Sequence, residues 1–375
     1  MRLTRTLKVD DAHEDAVWCC VWAPSKGEGG GESSSTELVT GSVDETVKVW
    51  SIDRSGGAGA ASASGATAAA TAAEGGEDPS SSSSSAEPLR SLPGHTLGAI
   101  SVAVDAGGTF AASSSLDSFV RIWHLEDSVT KAVIETPPGE TWQIAFPPPS
   151  EAINGGPQLI ATAGGASNKV VVWSADSAEK VAEMALPEPS GVANGAGAAP
   201  PSSASGGPFP SSSRDRFVLS VAYSPDGRRI ACGSMDGGVA LFDVASGRPL
   251  CSLPGHHRPV RSVAFSADST KVLTACDDMH SHVYDAANGA LVAALGGHAS
   301  WVTAVAPHPG GVFAATASSD STVKLWDLRS AGAASGPLQT AREHSDQVWG
   351  VAWSGDGTKL ASVSDDKSVC VYAAG

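Results

Sequence analysis

One spacing constrains this chain more than anything else in it. In His95/Asp117/Trp123, His256/Asp278/Tyr284, His298/Asp320/Trp326 and His344/Asp366/Tyr372, the Asp follows the His by 22 residues and an aromatic follows the Asp by six. A fifth set, His13/Asp44/Trp50, carries an insertion between His and Asp. Alternating apolar runs lead into the aromatics: TVKVW, SFVRIW, TVKLW and SVCVY. From His256 to His298 to His344 the steps are 42 and 46 residues. A unit of that length cannot bury its own apolar face and must stack on copies of itself, so the repeat decides the fold before any other signal. Repeat architectures of this kind are mostly binding platforms, which directs attention to a surface and a partner.

Length alone, 375 residues, would suggest two or three domains. A repeat fold breaks that rule, because roughly 300 residues suffice for seven units of about 40–45. The formal charge is −16, from 40 acids against 24 bases. That argues against direct binding to nucleic acid, which needs a basic footprint, and against a polybasic membrane contact. It fits solubility, or a basic partner such as a histone tail. The six cysteines (Cys19, Cys20, Cys232, Cys251, Cys276, Cys370) form no C-x-x-C pair, so zinc-site spacing is absent. Most lie in strand patterns as small buried hydrophobes, which suits a reducing compartment. The opening MRLTRTLKVDDAH has no apolar core of a signal peptide, and no apolar stretch approaches the ~18 residues of a membrane span.

Each unit reads alike. After the His comes an apolar stretch: VWCCVW at 17–22, AISVAV at 99–104, VRSVAF at 260–265, WVTAVA at 301–306, VWGVAW at 348–353. A turn follows (SPDG at 224–227, SGDG at 354–357), then a short strand, a turn built on the Asp, and the strand ending in the aromatic. Period-2 stretches separated by Gly/Asp/Ser turns predict antiparallel strands. Two further units are degraded. The third has Trp173, with Pro137, Ala163 and Ser167 at the His, hydroxyl and Asp positions; the fourth keeps Asp236 but has Arg214, Cys232 and Phe242. The count is seven. The last unit is one strand short, and LTRTLKV at 3–9 is an unclaimed strand. Together they predict a ring in which the N-terminal strand completes the last blade and removes a free edge. The whole of 1–375 then forms one propeller, with disordered insertions at about 25–36, 53–88 and 187–213, whose Ala/Gly/Ser-rich composition cannot offset its chain entropy.

The pattern G-H … S/T … D … W resembles the WD-repeat β-propeller. The hydroxyl of the set lies ten residues before each aromatic: Thr40, Ser113, Thr274, Thr316 and Ser362. The resemblance implies that His, Asp, hydroxyl and aromatic of one blade form a hydrogen-bonded chain. A His/Asp/Ser set could be mistaken for a catalytic triad, but a triad occurs once, whereas this set recurs with every blade. No metal or cofactor site is expected, because the network histidines belong to different blades.

In such a ring the residue five after each His position lies near the channel mouth. These residues are Trp18, Ile100, Trp142, Leu219, Arg261, Thr303 and Trp349. Phe217 and Trp301 stand two positions earlier, and Leu116, Met235 and Asp277 precede the turn aspartates. Tryptophans and one Arg on one rim fit a protein-binding hot spot. Trp22 and Trp353 are expected to pack into neighbouring blades instead.

Segments such as AHEDAVW at 12–18, TGSVDETVKVW at 40–50, AASSSLDSFVRIWHLE at 111–126, SVAYSPDGRRIACGSMDGGVALFDVASG at 220–247 and DQVWGVAW at 346–353 resemble the family of the superkiller-complex WD-repeat subunit, whose plant form is the vernalization-independence WD-repeat protein. That resemblance implies a non-catalytic scaffold in two assemblies of the nucleus and cytoplasm. One is the superkiller complex, with a tetratricopeptide-repeat scaffold and an RNA helicase, which feeds messenger RNA to the exosome. The other is the RNA polymerase II-associated factor complex, which supports elongation and histone modification. It also implies a monomeric propeller whose aromatic face, here Trp18, Trp142, Leu219, Arg261, Trp301 and Trp349, accepts short hydrophobic, Gln-Arg-bearing segments of partners. The Ala/Gly/Ser insertions depart from the family. The alternative is a WD-repeat adaptor of another class, such as a ubiquitin-ligase substrate receptor or histone-tail reader. An enzyme has no support: the chain contains no phosphate loop, H-E-x-x-H or G-x-S-x-G.

Overall fold

A computed structural model describes residues 1–24, 36–52, 88–136, 141–149, 158–164, 169–187, 217–329 and 336–375. Among these residues all regular structure is strand, in seven four-stranded antiparallel sheets. The chain is a seven-bladed β-propeller.

Blade 1 runs Val17–Trp22, Thr36–Ser42, Val47–Ile52 and Pro88–Leu92 from the channel outward; blade 2 runs Ala99–Val104, Phe110–Ser115, Phe119–His124 and Thr130–Glu135. Blade 3 is Thr141–Ala145, Leu159–Gly164, Lys169–Ser174 and Lys180–Ala185, and blade 4 is Val218–Tyr223, Arg229–Ser234, Val239–Asp243 and Pro249–Leu253. Blade 5 holds Val260–Phe265, Lys271–Cys276, His280–Asp285 and Leu291–Gly296; blade 6 holds Val302–Pro307, Phe313–Ser318, Val323–Asp327 and the short Gln339–Ala341. Blade 7 is Val348–Trp353, Lys359–Ser364 and Val369–Ala374, closed by Leu3–Val9 as its outer strand. The expected insertions lie outside the described residues, apart from their margins: Thr36 and Pro88 are strand residues, and Pro187 follows the outer strand of blade 3.

Among the described residues there is no single central core. Buried side chains form seven clusters, and each cluster joins two adjoining blades. Trp50, for example, packs with Val363, Val369 and Val371 of blade 7, and Trp123 with Val39, Val47 and Leu92 of blade 1. A sheet that is apolar on both faces needs a neighbour on each side, and only a closed ring supplies one to every blade. Closure is stapled beyond the strand ladder. The Gln339 side chain of blade 6 accepts the Leu3 N–H at 2.7 Å and donates to the Leu3 carbonyl at 2.7 Å, reproducing a strand pairing across two blades. Trp22 donates to the Ala352 carbonyl and Trp353 to the Ala306 carbonyl, each in the preceding blade.

Candidate partner-binding rim and the network beneath it

The rim rests on five hydrogen-bonded sets. In blade 1, Trp50 Nε1 donates to Thr40 Oγ1 at 2.8 Å, Thr40 lies 2.8 Å from His13 Nε2, and His13 Nδ1 lies 3.0 Å from Asp44. The donation order that leaves no group unsatisfied runs Trp to Thr to His to Asp, with a neutral imidazole and an ionised carboxylate. Blade 6 repeats it, with Trp326 to Thr316 at 2.8 Å, Thr316 to His298 at 2.8 Å and His298 to Asp320 at 3.0 Å. His95 bridges Asp117 and Ser113, His256 bridges Asp278 and Thr274, and His344 bridges Asp366 and Ser362.

The electrostatics follow the burial. Desolvation lowers His13, His95 and His298 below the ordinary imidazole range, outweighing the pull of their carboxylates. Desolvation pushes the partner aspartates upward, but the hydrogen bonds they accept outweigh it. Asp44, Asp320 and Asp366 therefore lie well below the usual carboxylate range, and Asp278 falls to about 2.

The aromatic end of the set departs from expectation in three blades. Trp123 Nε1 is buried without an acceptor, and the Tyr372 hydroxyl has no partner at hydrogen-bond geometry. The Tyr284 hydroxyl donates instead to the Pro254 carbonyl at 2.9 Å and meets His282 Nδ1. Every indole that closes on a hydroxyl closes on threonine, whose β-branching restricts χ1, whereas Ser113 belongs to a freer rotor. A tyrosine's oxygen extends past the reach of an indole nitrogen. The degraded blade 3 supplies its own closure. Trp173 donates to Thr162 at 3.0 Å, one residue before the expected Ala163. The counterparts Pro137, Ser167 and Arg214 lie outside the described residues. The spacing rule also missed Thr46, Thr322 and Ser368, two residues after the turn Asp, each of which donates to it at 2.6 Å.

The rim itself is made by a backbone irregularity. In all seven blades the register between the inner strand and its neighbour slips at one residue, and the unpaired residues are Trp18, Ile100, Trp142, Leu219, Arg261, Thr303 and Trp349. A bulge bends its strand and re-aims the extra side chain. Here it turns one residue per blade into the channel, where all seven line a cavity of about 590 Å³. The N–H of the residue before each turn Asp then ties the rim down. Met235 N–H donates to the Phe217 carbonyl, Asp277 to Pro259, Ser319 to Trp301 and Asp365 to Gln347.

Trp18 and Trp349 meet at 6.0 Å between ring centroids, tilted by 54°. Trp18 Nε1 donates to Asp365 at 3.3 Å. Burial pushes Asp365 upward, and Asp346 and Asp15 add to it. Arg261 is forked onto Asp277, with its Nη2 at 2.8 Å, and its guanidinium lies 5.1 Å from the Trp301 ring and 5.8 Å from the Trp349 ring. The structure thus brings Trp18, Arg261, Trp301 and Trp349 into one patch. Trp301, Phe217 and Met235 do not line the channel; they stand exposed on the outer rim, at 45, 36 and 45 %. Trp142 and Leu219 line the channel in blades 3 and 4.

Known proteins match this sequence. The family model described as WD domain, G-beta repeat matches residues 2–51, 86–124, 289–327 and 335–373. One described as Nucleolar protein 10-like, N-terminal domain matches residues 152–301, which include blades 4 and 5 and most of blade 3. WD repeat-containing protein SL1-17 of Schistosoma mansoni is 30% identical over 400 residues, covering 96% of each chain. The chain belongs to the WD-repeat family. The WD-repeat protein VIP3 of Arabidopsis thaliana is 38% identical over 261 residues, 70% of this chain but only 64% of that protein. Superkiller complex protein 8 of Dictyostelium discoideum is 41% identical over 64 residues, 17% of this chain and 20% of that one. The repeats recognised as WD domains fall on four of the five blades with complete His–Asp pairs; blade 5, with His256–Asp278, lies in the stretch matched by the second model. The stretch matched by the second model includes the two blades whose network is degraded.

Proposed function

We propose that this WD-repeat propeller is a non-catalytic docking subunit that holds an extended peptide segment of a partner across its channel mouth. The observation that carries this reading is the seven-fold bulge, which presents Trp18, Trp349 and Arg261 together beside exposed Trp301. Aromatic and Arg side chains near the centre of a patch are the residues that dominate binding energy. The His–Asp sets repeat around the ring as supports and present no single reacting centre. The likeness to VIP3 and to superkiller complex protein 8 supports membership of the superkiller and polymerase-associated factor assemblies, in nucleus and cytoplasm. The partners in this reading are a tetratricopeptide-repeat scaffold with its RNA helicase, and the polymerase-associated factor subunits. Nucleic acid and membrane are not contacted directly, which accords with the net charge of −16.

Asp365, with Asp346 and Asp15 close by, favours a second reading in which the segment is basic, as in a histone tail. Purification of the tagged protein from native extract separates the two. Recovery of a tetratricopeptide scaffold with a helicase, or of the polymerase-associated factor subunits, supports the first. Recovery of histone-modifying enzymes or a cullin adaptor without either set overturns it. With the recovered partner segment, Trp349→Ala should lower affinity by about 2 kcal/mol, roughly 30-fold, by calorimetry, with an unchanged melting curve. Unaltered binding, or loss of the fold, refutes the hot-spot assignment.

A further inference from the structure

We propose that the turn of blade 5 is a binding site for a thiophilic divalent cation of the zinc type, held by His256, Cys276 and Asp278 with His280 beside them. The ligand atoms of the first three lie within 4.8 Å of one another. Three departures from the other blades converge on this one turn. First, the residue two before the turn Asp is Ser42, Ser115, Ser234, Ser318 or Ser364 in the other described blades, and Cys276 only here. Its Sγ takes over the serine's place, 3.3 Å from the Arg258 carbonyl and 3.4 Å from the Asp278 N–H.

Second, the hydroxyl that closes on the Asp in blades 1, 6 and 7 is replaced by His280, whose ring turns to the Asp278 carbonyl oxygen. Third, the backbone N–H after the His, which donates to the turn Asp in blades 1, 2, 6 and 7, makes no such bond here. The Asp278 carboxylate is left with His256, the His280 N–H and the Cys276 thiol as hydrogen-bond partners, and its side chain is 24 % exposed against 4–11 % for its counterparts.

The ligand chemistry fits. Cys, His and Asp together are a zinc donor set, with metal–ligand distances near 2.0–2.3 Å and tetrahedral angles. His256 Nδ1 and Asp278 Oδ2 stand at 2.5 Å, so seating an ion between them opens that pair by roughly 1 Å and draws in the sulfur. The far nitrogen of His256 is already fixed by Thr274 at 2.8 Å, the outer-shell bond that orients a metal-ligating imidazole. His280 Nδ1, 3.8 Å from Asp278 Oδ1, holds the Asp278 backbone carbonyl at 2.8 Å and would have to leave it to serve as the fourth ligand. The histidines of separate blades are not needed; one blade supplies the whole set. An ion here would stiffen the turn that carries Asp277, the carboxylate that holds Arg261 on the rim.

Cobalt tests this on the full chain after treatment with a chelator. Titration with Co(II) should give one equivalent with a thiolate-to-cobalt charge-transfer band, and Zn(II) should displace it. Cys276→Ser installs the residue of the other blades, so its melting curve in chelator should match the wild type. Its charge-transfer band should vanish and its zinc affinity should drop by at least about 100-fold, the upper end of what losing an outer-shell partner costs. His280→Thr should weaken zinc by 10-fold or more, and it carries the test if Cys276→Ser does not fold. No band with the wild type, or the same band and affinity in Cys276→Ser, overturns the proposal.

Discussion

Replacing Thr316 with Val in blade 6 removes one oxygen and almost nothing else, since the two side chains share a shape. That oxygen is fully buried; it accepts the Trp326 N–H and meets His298 Nε2, both at 2.8 Å. Thr316→Val therefore strands two buried polar groups. Each costs about 1–3 kcal/mol when left unpaired, so the expected loss is about 2–6 kcal/mol. Ser113→Ala in blade 2 is the matched comparison. Trp123 Nε1 already lacks an acceptor, so only His95 Nε2 is stranded and the expected loss is about 1–3 kcal/mol. For roughly 300 ordered residues at ~2.1 cal/mol/K each, 1 kcal/mol corresponds to about 1.6 °C in melting temperature. The Val variant should thus melt about 3–10 °C below wild type and the Ala variant about 2–5 °C below. Urea denaturation followed by both Trp fluorescence and circular dichroism gives the free energies and shows whether one transition describes the ring. If Ser113→Ala costs as much as Thr316→Val, the indole–threonine closure adds nothing and the argument fails.

Two further outcomes follow from the same geometry. His13, His95 and His298 have depressed folded-state values, so the unfolded chain takes up protons first as pH falls below about 6.5, and stability must drop from there downward. Asp44, Asp320 and Asp366 act in the same direction, with their contribution present above about pH 4 and lost below it; denaturation midpoints that stay flat from pH 8 to about 2 would contradict this. Gly233→Ala should cost about 1–3 kcal/mol through overpacking, because its Cβ would stand 2.6 Å from both Ser220 Oγ and Val260 Cγ1, and a melting curve identical to wild type would show that the two strands part more easily than their burial implies.

The blade count, the ring closure and the His–Asp pairs were legible in the sequence because each depends on residues a fixed number of positions apart. A repeated unit fixes what is local to it. His95 and Asp117 lie 22 residues apart in one blade, and Leu3–Val9 pairs with Val369–Ala374 since the last blade otherwise lacks an edge. The spacing failed where side-chain reach decides the bond. Tyr284 occupies a tryptophan's position yet bonds the Pro254 carbonyl, and Thr162 serves Trp173 from one residue off the rule.

By itself, then, the sequence determined a closed seven-bladed ring, because its hydrophobic period and repeat length call for a ring that buries both faces of every sheet, and its resemblance to WD-repeat propellers pointed to the residues of the rim. It could not show that the rim exists through a bulge. An unpaired residue such as Arg261 looks the same in sequence as a paired one, and its direction depends on the ladder of the neighbouring strand. Nor could it bring Arg261 from blade 5, Trp301 from blade 6 and Trp349 from blade 7 into one patch, which only the rotation of blades around the channel achieves. Spacing within a repeat records what each blade does alone; the contacts between blades are set by closure of the ring.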